Sequence, residues 1–478
     1  MVSGRNKNEQ NIISRVLEAG QGQVFRFWDT LTDTEKTSLI SQLESIDFDL
    51  IDTLYSELAE QGASGIEQHD LEPAPYIALP RTASQQKRAL QAKTLGEQAL
   101  RSGRVAAFLV AGGQGTRLGF DGPKGCFPAS PVTGKTLFQI HAEKIAAASR
   151  KYNVPVPWYI MTSQANHSAT VAYFEENSFL GLPRTDVMFF KQDMLPAVDK
   201  QGKLILDRPW HVFMNPNGHG GSFAALHNSG ALDDMEKRSI DIISYFQVDN
   251  VLVTIIDPVF IGYHLMEKAE MSSKMAVKTG PGEKVGVFGI RDSRLVVVEY
   301  SDLSEEQMTA ANQDGSLQYG AGSIAIHLIQ REFVRKNMQK GMRLPFHSAH
   351  KKIPFLDTEG NVTKPETPNG YKFETFVFDA LSRTTASAIM EIDRACEFSP
   401  VKNSDGIDSP DTAKQHMSNL FGSWLEKCGI TVPRDKKGNV TVNIEISPLY
   451  AADAQELAAK CPATLECSHD IYLGPETL

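Results

Sequence analysis

The stretch LVAGGQGTRLGFDGPKG, Leu109 to Gly125, follows the apolar run VAAFLV that begins at Val105. It places six glycines, one arginine and one lysine directly after a predicted strand. Three nucleotide loops compete for this pattern. The dinucleotide fingerprint requires G-x-G-x-x-G, but Gly113, Gly115 and Gly119 are spaced G-x-G-x-x-x-G. The acidic residue that the fingerprint needs about twenty positions further on is met only loosely by Glu143. A Walker A loop requires G-x-x-x-x-G-K-[ST]. Gly134-Lys135-Thr136 supplies its end, but Ala129 stands where its first glycine belongs. This GKT reads instead as the opening of the helix TLFQIHAEKIA. The third reading treats Ala111 to Lys124 as one loop. Its small residues let backbone N–H groups approach a phosphate chain and a base. Arg117 can fork onto phosphate oxygens, and Lys124 adds a second cation after the Pro123 turn.

Outward from this loop, short apolar strands alternate with amphipathic segments. VAAFLV, PVPWYIMTS, VMFFKQ, DIISYFQVD and VGVFGIR read as strands, and KTLFQIHAEKIAAASRKY and QANHSATVAYFEEN as helices. Such alternation predicts an α/β fold with a mostly parallel sheet and helices on both faces. Ligands of such sheets lie at the carboxyl ends of strands, where the glycines fall. Residues 10–60 read as helices: Thr32 and Glu35 have capping-box spacing, and Leu39, Leu43, Ile46, Leu50, Leu54 and Leu58 follow at helical intervals. LEPAPYIALP (71–80) reads as a linker, and ASQQKRALQAKTLGEQALRSG as a further helix leading to Val105. In NVTVNIEIS, alternating Val440, Val442, Ile444 and Ile446 predict a half-buried strand and a small β-rich C-terminal piece. The expected divisions are a helical domain over 1–100, a catalytic domain over 101–395 and a small C-terminal domain over 396–478.

The chain has 478 residues, 41% hydrophobic and 22% charged, with a net charge of −10. That charge argues against nucleic acid or an anionic membrane as the main partner. No secretory leader and no membrane-spanning run is visible. Cys126, Cys396, Cys428, Cys461 and Cys467 are scattered and odd in number. They indicate neither a disulfide framework nor a zinc site, and a cytoplasmic location is expected.

The opening stretch resembles the G-G-x-G-T-R-L-G-x-x-x-P-K signature of eukaryotic-type UDP-sugar pyrophosphorylases, most of all the UDP-N-acetylhexosamine (UDP-N-acetylglucosamine) pyrophosphorylases. The likeness continues in order through KTLFQIHAEKI, MTSQAN, KQDMLPA, NPNGHGGSFAAL, QVDNVLVTIIDPVFIGY, VVVEYSDLS, PNGYKFETFVFDAL and EFSPVKNSDG. It implies a Rossmann-like nucleotidyltransferase fold (GT-A-like) built on a mixed sheet, with a helical N-terminal region and a small C-terminal β domain. It also implies a reaction: UTP and a sugar 1-phosphate give a UDP-sugar and pyrophosphate by direct displacement, with Mg²⁺ as cofactor.

The resemblance further implies residue roles. Arg117 and Lys124 would hold the triphosphate and its leaving group, Asp249 would ligate Mg²⁺, and Lys402 would lie near the transferred phosphate, with Lys372 a further phosphate candidate. Gly112, Gly113, Gln192 and Gly218 would read the nucleotide. His219, Gly286, Glu299, Ser323, Phe376 and Phe378 would form the sugar site, the two phenylalanines making one apolar wall. His219 and Ser323 stand where the N-acetylhexosamine enzymes usually carry Asn, so N-acetylglucosamine 1-phosphate is the first choice of sugar and glucose 1-phosphate or a broader range the second. A nucleotide-sugar-binding regulatory paralogue is the alternative from another class, which retention of Arg117, Lys124, Asp249 and Lys402 argues against. An oxidoreductase is disfavoured by the glycine spacing. Monomer and dimer are both compatible with the sequence.

Overall fold

The computed structural model describes residues 2–61, 71–341, 343–462 and 465–475. By contacts the chain divides into two compact units. One comprises Met1–His69, Gln192–Gly221 and Arg343–Val377, and the other Asp70–Lys191, Ser222–Met342 and Phe378–Leu478. The expected segments 1–100, 101–395 and 396–478 divide the chain along its length, whereas these units divide it in space.

In the first unit, helices Lys7–Glu18, Asp33–Glu44 and Phe48–Gln61 accompany small sheets. Thr32 and Glu35 form the anticipated capping box. The helical spacing from Leu39 to Leu58 crosses a break, because one helix ends at Glu44 and the next begins at Phe48. Ile13, Val16, Leu39, Leu43 and Leu54 bury their side chains with Val198, Leu206, Val212 and Phe373 in one core. Phe373 lies on strand Gly370–Thr375, which pairs antiparallel with Phe346–Lys351.

The second unit is built on a mixed sheet. Its strands are β1 (Val105–Val110), β2 (Trp158–Thr162), β3 (Val187–Lys191), β4 (Ile242–Gln247), β5 (Met271–Val277), β6 (Val287–Arg291), β7 (Arg294–Val298), β8 (Ala321–Gln330) and β9 (Ser387–Glu391). The order β6-β8-β4-β1-β2-β3 runs across the sheet, with β5 joining β8 to β9 and β7 paired to β6. Strands β4, β1, β2 and β3 are mutually parallel, as the alternation predicts. β8 enters antiparallel to β4 and β5, so the sheet is more mixed than strand–helix alternation alone suggests. The β6–β7 hairpin turns through Asp292 and Ser293, with φ of 51° and 60°. Positive φ at both central residues is the geometry that matches the twist of paired strands. Glu72 and Pro73 pair with β6, and Ile77 bridges Met390. The supposed linker is therefore woven into the sheet.

Among the helices of this unit are α1 (Ala83–Arg101), α2 (Leu137–Tyr152), α3 (His167–Glu176), α4 (Pro258–Met266) and α5 (Pro410–Lys427). Thr136 caps α2, its Oγ accepting from the Gln139 amide, so the GKT is a helix start. Glu143, the loose ribose candidate, is buried and pairs with Lys135 at 2.9 Å. The C-terminal segment carries less strand than expected. Among the described residues Ile444–Ile446 and Ile471–Leu473 form a short parallel pair and Arg434 bridges Val440, beside the 18-residue α5. Ala413, Phe421 and Leu425 of α5 share one core with Val105, Leu109 and Phe138.

Strands β2 and β3 lie to one side of β1 and β4 to the other, making the β1/β4 junction a topological switch point. Ligands of open α/β sheets bind outside the carboxyl ends at such a point. Gln247 pairs with Val110 there, so the glycine loop and the turn bearing Asp249 leave the sheet side by side.

Candidate active site

The loop after β1 is held by its own backbone. The Gly115 amide donates to Gly122 O at 2.9 Å, and the Lys124 amide donates to Gly113 O at 3.1 Å. The six glycines serve different ends. A Cβ on Gly115 would meet Phe120 Cβ at 2.9 Å, one on Gly125 would lie 2.2 Å from the Phe138 ring, and Gly119 has φ +68°. Those three satisfy packing or backbone geometry. Gly113 is exposed, and a Cβ there would find only Lys124 Cδ at 3.9 Å. Protein packing does not require that glycine, which leaves open backbone for a ligand. Asn166, buried just before α3, donates to Ala111 O at 2.8 Å and Gly113 O at 3.1 Å. No role was expected for it, although it lies in MTSQAN. A buried amide fixing two loop carbonyls is the signal it carried.

Lys124 closes the loop onto the turn after β4. Its amine lies 2.9 Å from Asp249 Oδ2, with the two side chains 15% and 14% exposed. Burial raises the cost of the Asp249 charge, but Lys124 and Lys402 outweigh it and hold the carboxyl below its ordinary range. Lys402 follows a segment laced to the same turn. The Val401 amide donates to Asp249 O at 3.0 Å, and Asn250 bridges Pro400. The Lys402 side chain is 49% exposed, its amine 3.9 Å from Asp408. Arg117 is exposed on a turn of 3₁₀ helix within the glycine loop, and Gly112 is half-buried there.

A cavity of about 90 Å³ is lined by Asp249, Asn250, Lys402 and Ser323, among others. Ser323 lies where β8 bulges: three residues, 324–326, stand opposite Lys274 alone, and Ala325 takes φ 55°. The Ser323 amide donates to Gly286 O at 2.8 Å. A Cβ on Gly286 would lie 3.3 Å from Glu299 Oε1. The expected sugar residues Gly286, Glu299 and Ser323 are thus gathered next to the charged group.

The first unit gathers Gly218, His219 and Phe376. Gly218 has φ +82°, and a Cβ on it would collide with Thr375 O at 2.4 Å. His219 stacks on Phe376 with ring centroids 5.2 Å apart, and His347 stacks on Phe376 at 4.5 Å. The Val377 amide donates to His219 Nδ1 at 3.2 Å. Burial, helped by His347, lowers the His219 pKa to about 4. A neutral ring accepting a backbone N–H orders the NPNGHGG turn. Lys372 lies on strand Gly370–Thr375, with its amine 4.9 Å from the Phe213 ring centroid, and burial lowers its pKa. Gln192 is buried. Phe376 and Phe378 do not share a strand. The strand ends at Thr375 and Val377–Arg383 is 3₁₀ helix, so two-residue alternation does not put both rings on one wall.

Among the described residues, no group of three or more His, Cys, Asp or Glu side chains could hold a metal. Asp249 still fits Mg²⁺, which is commonly bound through one or two carboxylates, water and substrate phosphates rather than an all-protein cage. No helix among the described residues is long and apolar enough to cross a membrane.

Known proteins resemble the whole chain. UDP-N-acetylglucosamine pyrophosphorylase of Saccharomyces cerevisiae is 35% identical over 457 residues, covering 91% of this chain and 94% of the yeast protein. UDP-N-acetylglucosamine diphosphorylase 2 of Arabidopsis thaliana is 33% identical over 471 residues, 95% of this chain and 91% of the plant protein. The crystal structure of the uridine diphosphate N-acetylglucosamine pyrophosphorylase of Trypanosoma brucei in complex with an inhibitor superposes with a TM-score of 0.82 at 27% identity. It covers 99% of this chain and 100% of that one. The family model described as UTP–glucose-1-phosphate uridylyltransferase matches residues 52–470. The chain belongs to the UTP–glucose-1-phosphate uridylyltransferase family, as a relative of its UDP-N-acetylglucosamine pyrophosphorylases.

Proposed function

We propose that the protein transfers the uridylyl group of UTP to N-acetylglucosamine 1-phosphate, releasing pyrophosphate. The observation that carries this reading is the Lys124–Asp249 pair at the β1/β4 switch point. The relatives' names support the amino-sugar over glucose.

The chemistry follows from charge. A phosphate oxygen of the sugar 1-phosphate is already ionised at neutral pH, so it attacks the α-phosphorus of UTP without a general base. The barrier lies in bringing two polyanions together and in stabilising charge on the departing pyrophosphate. Positioning and fixed cations lower it. Open backbone at Gly113 receives the nucleotide, and Arg117 and Lys124 draw in the triphosphate. Lys402, laced to the Asp249 turn, supplies positive charge beside the reacting phosphorus. Asp249 would hold Mg²⁺, which when bound neutralises phosphate charge. Gly286, Glu299 and Ser323 would receive the sugar, while His219 shapes its turn and takes no proton. Gly218 and Gln192 would contribute to uridine recognition, an amide being able to pair with both a donor and an acceptor of the uracil edge. The five cysteines, all free, agree with the cytoplasm as the compartment we infer.

Pyrophosphate release from UTP should be measured with the 1-phosphates of N-acetylglucosamine, N-acetylgalactosamine, glucose and galactose, with Mg²⁺ and with chelator. Turnover led by N-acetylglucosamine 1-phosphate and abolished by chelator is expected. A glucose preference would overturn the sugar assignment, and no turnover with any sugar would overturn the reaction.

A further inference from the structure

The segment from Val248 to Thr254 carries Asp249 away from the sheet, and side chains outside the charged cluster hold it. His141 and Lys144 lie one helical turn apart on α2 and share a face. His141 Nε2 donates to Val248 O at 3.0 Å. The Lys144 amine donates to Val251 O at 2.6 Å and Val253 O at 2.9 Å. On the far side, Asn250 Nδ2 donates to Glu397 O at 2.8 Å, and Asn250 Oδ1 accepts from the Ser399 amide at 2.9 Å. Glu397 is itself fixed by an ion pair with the fully buried Lys274. A cavity of about 340 Å³, lined by Lys144, Val251, Val253 and Glu397 among others, borders this segment. Val251 and Val253 bury their side chains in the main core, and the hydrogen bonds from α2 fix their backbone carbonyls beside this cavity.

We propose that Lys144, assisted by His141, is a positioning residue for the reaction: it sets the place of Asp249, and through it the affinity for the divalent cation. The inference rests on Asp249 as the metal-binding carboxylate of the function proposed above. Lys144 touches backbone carbonyls only two and four residues beyond Asp249, so its loss frees the turn without removing any group from the charged cluster. A half-buried lysine is an expensive way to hold two carbonyls. Burial lowers this amine to about 7, against the opposing field of Glu397. Simple packing could have been achieved by an apolar residue, which would leave both carbonyls unpaired.

The test uses Lys144→Met in the full chain, with Lys151→Met as control. Lys151 lies on the same helix and pairs with Asp453 and Glu456. Two readouts are needed: the affinity of the enzyme–UTP complex for Mn²⁺ by electron paramagnetic resonance, and the Mg²⁺ concentration for half-maximal pyrophosphate release. Outer-shell partners of metal ligands are worth roughly 10–100-fold in affinity. Lys144→Met should weaken Mn²⁺ binding about tenfold or more on that scale and raise the Mg²⁺ requirement equally, with excess Mg²⁺ restoring much of the rate. Lys151→Met should change neither. His141→Phe, which keeps ring volume but removes the donor to Val248 O, should weaken Mn²⁺ binding in the same direction and gives the result if Lys144→Met does not fold. Unchanged Mn²⁺ affinity in a folded variant overturns the inference. Absence of pyrophosphate release by the wild type would instead overturn the proposed reaction, while Mn²⁺ binding still decides the positioning role.

Discussion

The Lys124 amine and Asp249 Oδ2, 2.9 Å apart, join the glycine loop after β1 to the turn after β4. Their side chains are about six-sevenths shielded, so each depends on the other's charge. On the proposed function, incoming phosphate would compete for the lysine just where the carboxylate would take a cation, and the pair would exchange partners on loading. Asp249→Asn keeps the shape but removes the charge. It should lower kcat by about 10²–10³, the usual loss on deleting one electrostatic group aimed at the reacting centre. Initial rates at saturating UTP check this, and a change below threefold would refute the assigned role.

Gly113 and Gly125 should separate binding from folding. Gly113→Ala places a methyl group in ordinary contact with Lys124, so thermal stability should hold while the KM for UTP rises. Gly125→Ala drives a methyl group 2.2 Å from the Phe138 ring. Overpacking of that kind costs about 1–3 kcal/mol or more. Melting temperatures and UTP kinetics on both variants test the distinction.

Asn166→Ala removes the amide that holds the carbonyls of Ala111 and Gly113. Gly113 O keeps the Lys124 amide, but the carbonyl of buried Ala111 loses this donor, and a buried carbonyl left unpaired costs about 1–3 kcal/mol. The variant should therefore melt earlier and bind UTP more weakly, as denaturation and equilibrium titration would show.

His219 gives a pH signature. Its folded pKa is about 4, below the ordinary 6.5, because burial and His347 disfavour the imidazolium. The unfolded chain binds the proton first, so this contribution to stability is complete above pH 6.5 and is lost as pH falls toward 4. His219→Gln should flatten part of the stability decline between pH 6.5 and 4 measured on the wild type. The pH profile of kcat should show no ionisation of His219 near neutrality.

The sequence exposed what rests on local pattern. VAAFLV and DIISYFQVD are apolar runs of strand length, and the glycines between Gly112 and Gly125 mark the loop that the β1/β4 junction places at the site. The direction of β8 was hidden, since an apolar run does not say which way its strand lies. Helix α5 was signalled by Ser409, Pro410 and Thr412, a capping box with proline in the first turn, but the alternation in NVTVNIEIS drew the reading toward strands. Phe376 and Phe378 would share a face on one continuous strand, but the chain turns into 3₁₀ helix at Val377. His141 and Lys144 left no trace because their partners are backbone carbonyls, which every residue type supplies. The capture of Asn250 by Glu397 O is likewise a product of tertiary folding.

Pyrophosphate release from UTP and N-acetylglucosamine 1-phosphate with Mg²⁺, compared between the wild type and Lys124→Met, is the most direct test of the reaction and its site. The wild type should turn over only when both substrates are present, and Lys124→Met should fold yet run about 10²-fold or more slower, the scale expected for losing one preorganised charge. No release by the wild type, or an unchanged rate in Lys124→Met, would contradict it.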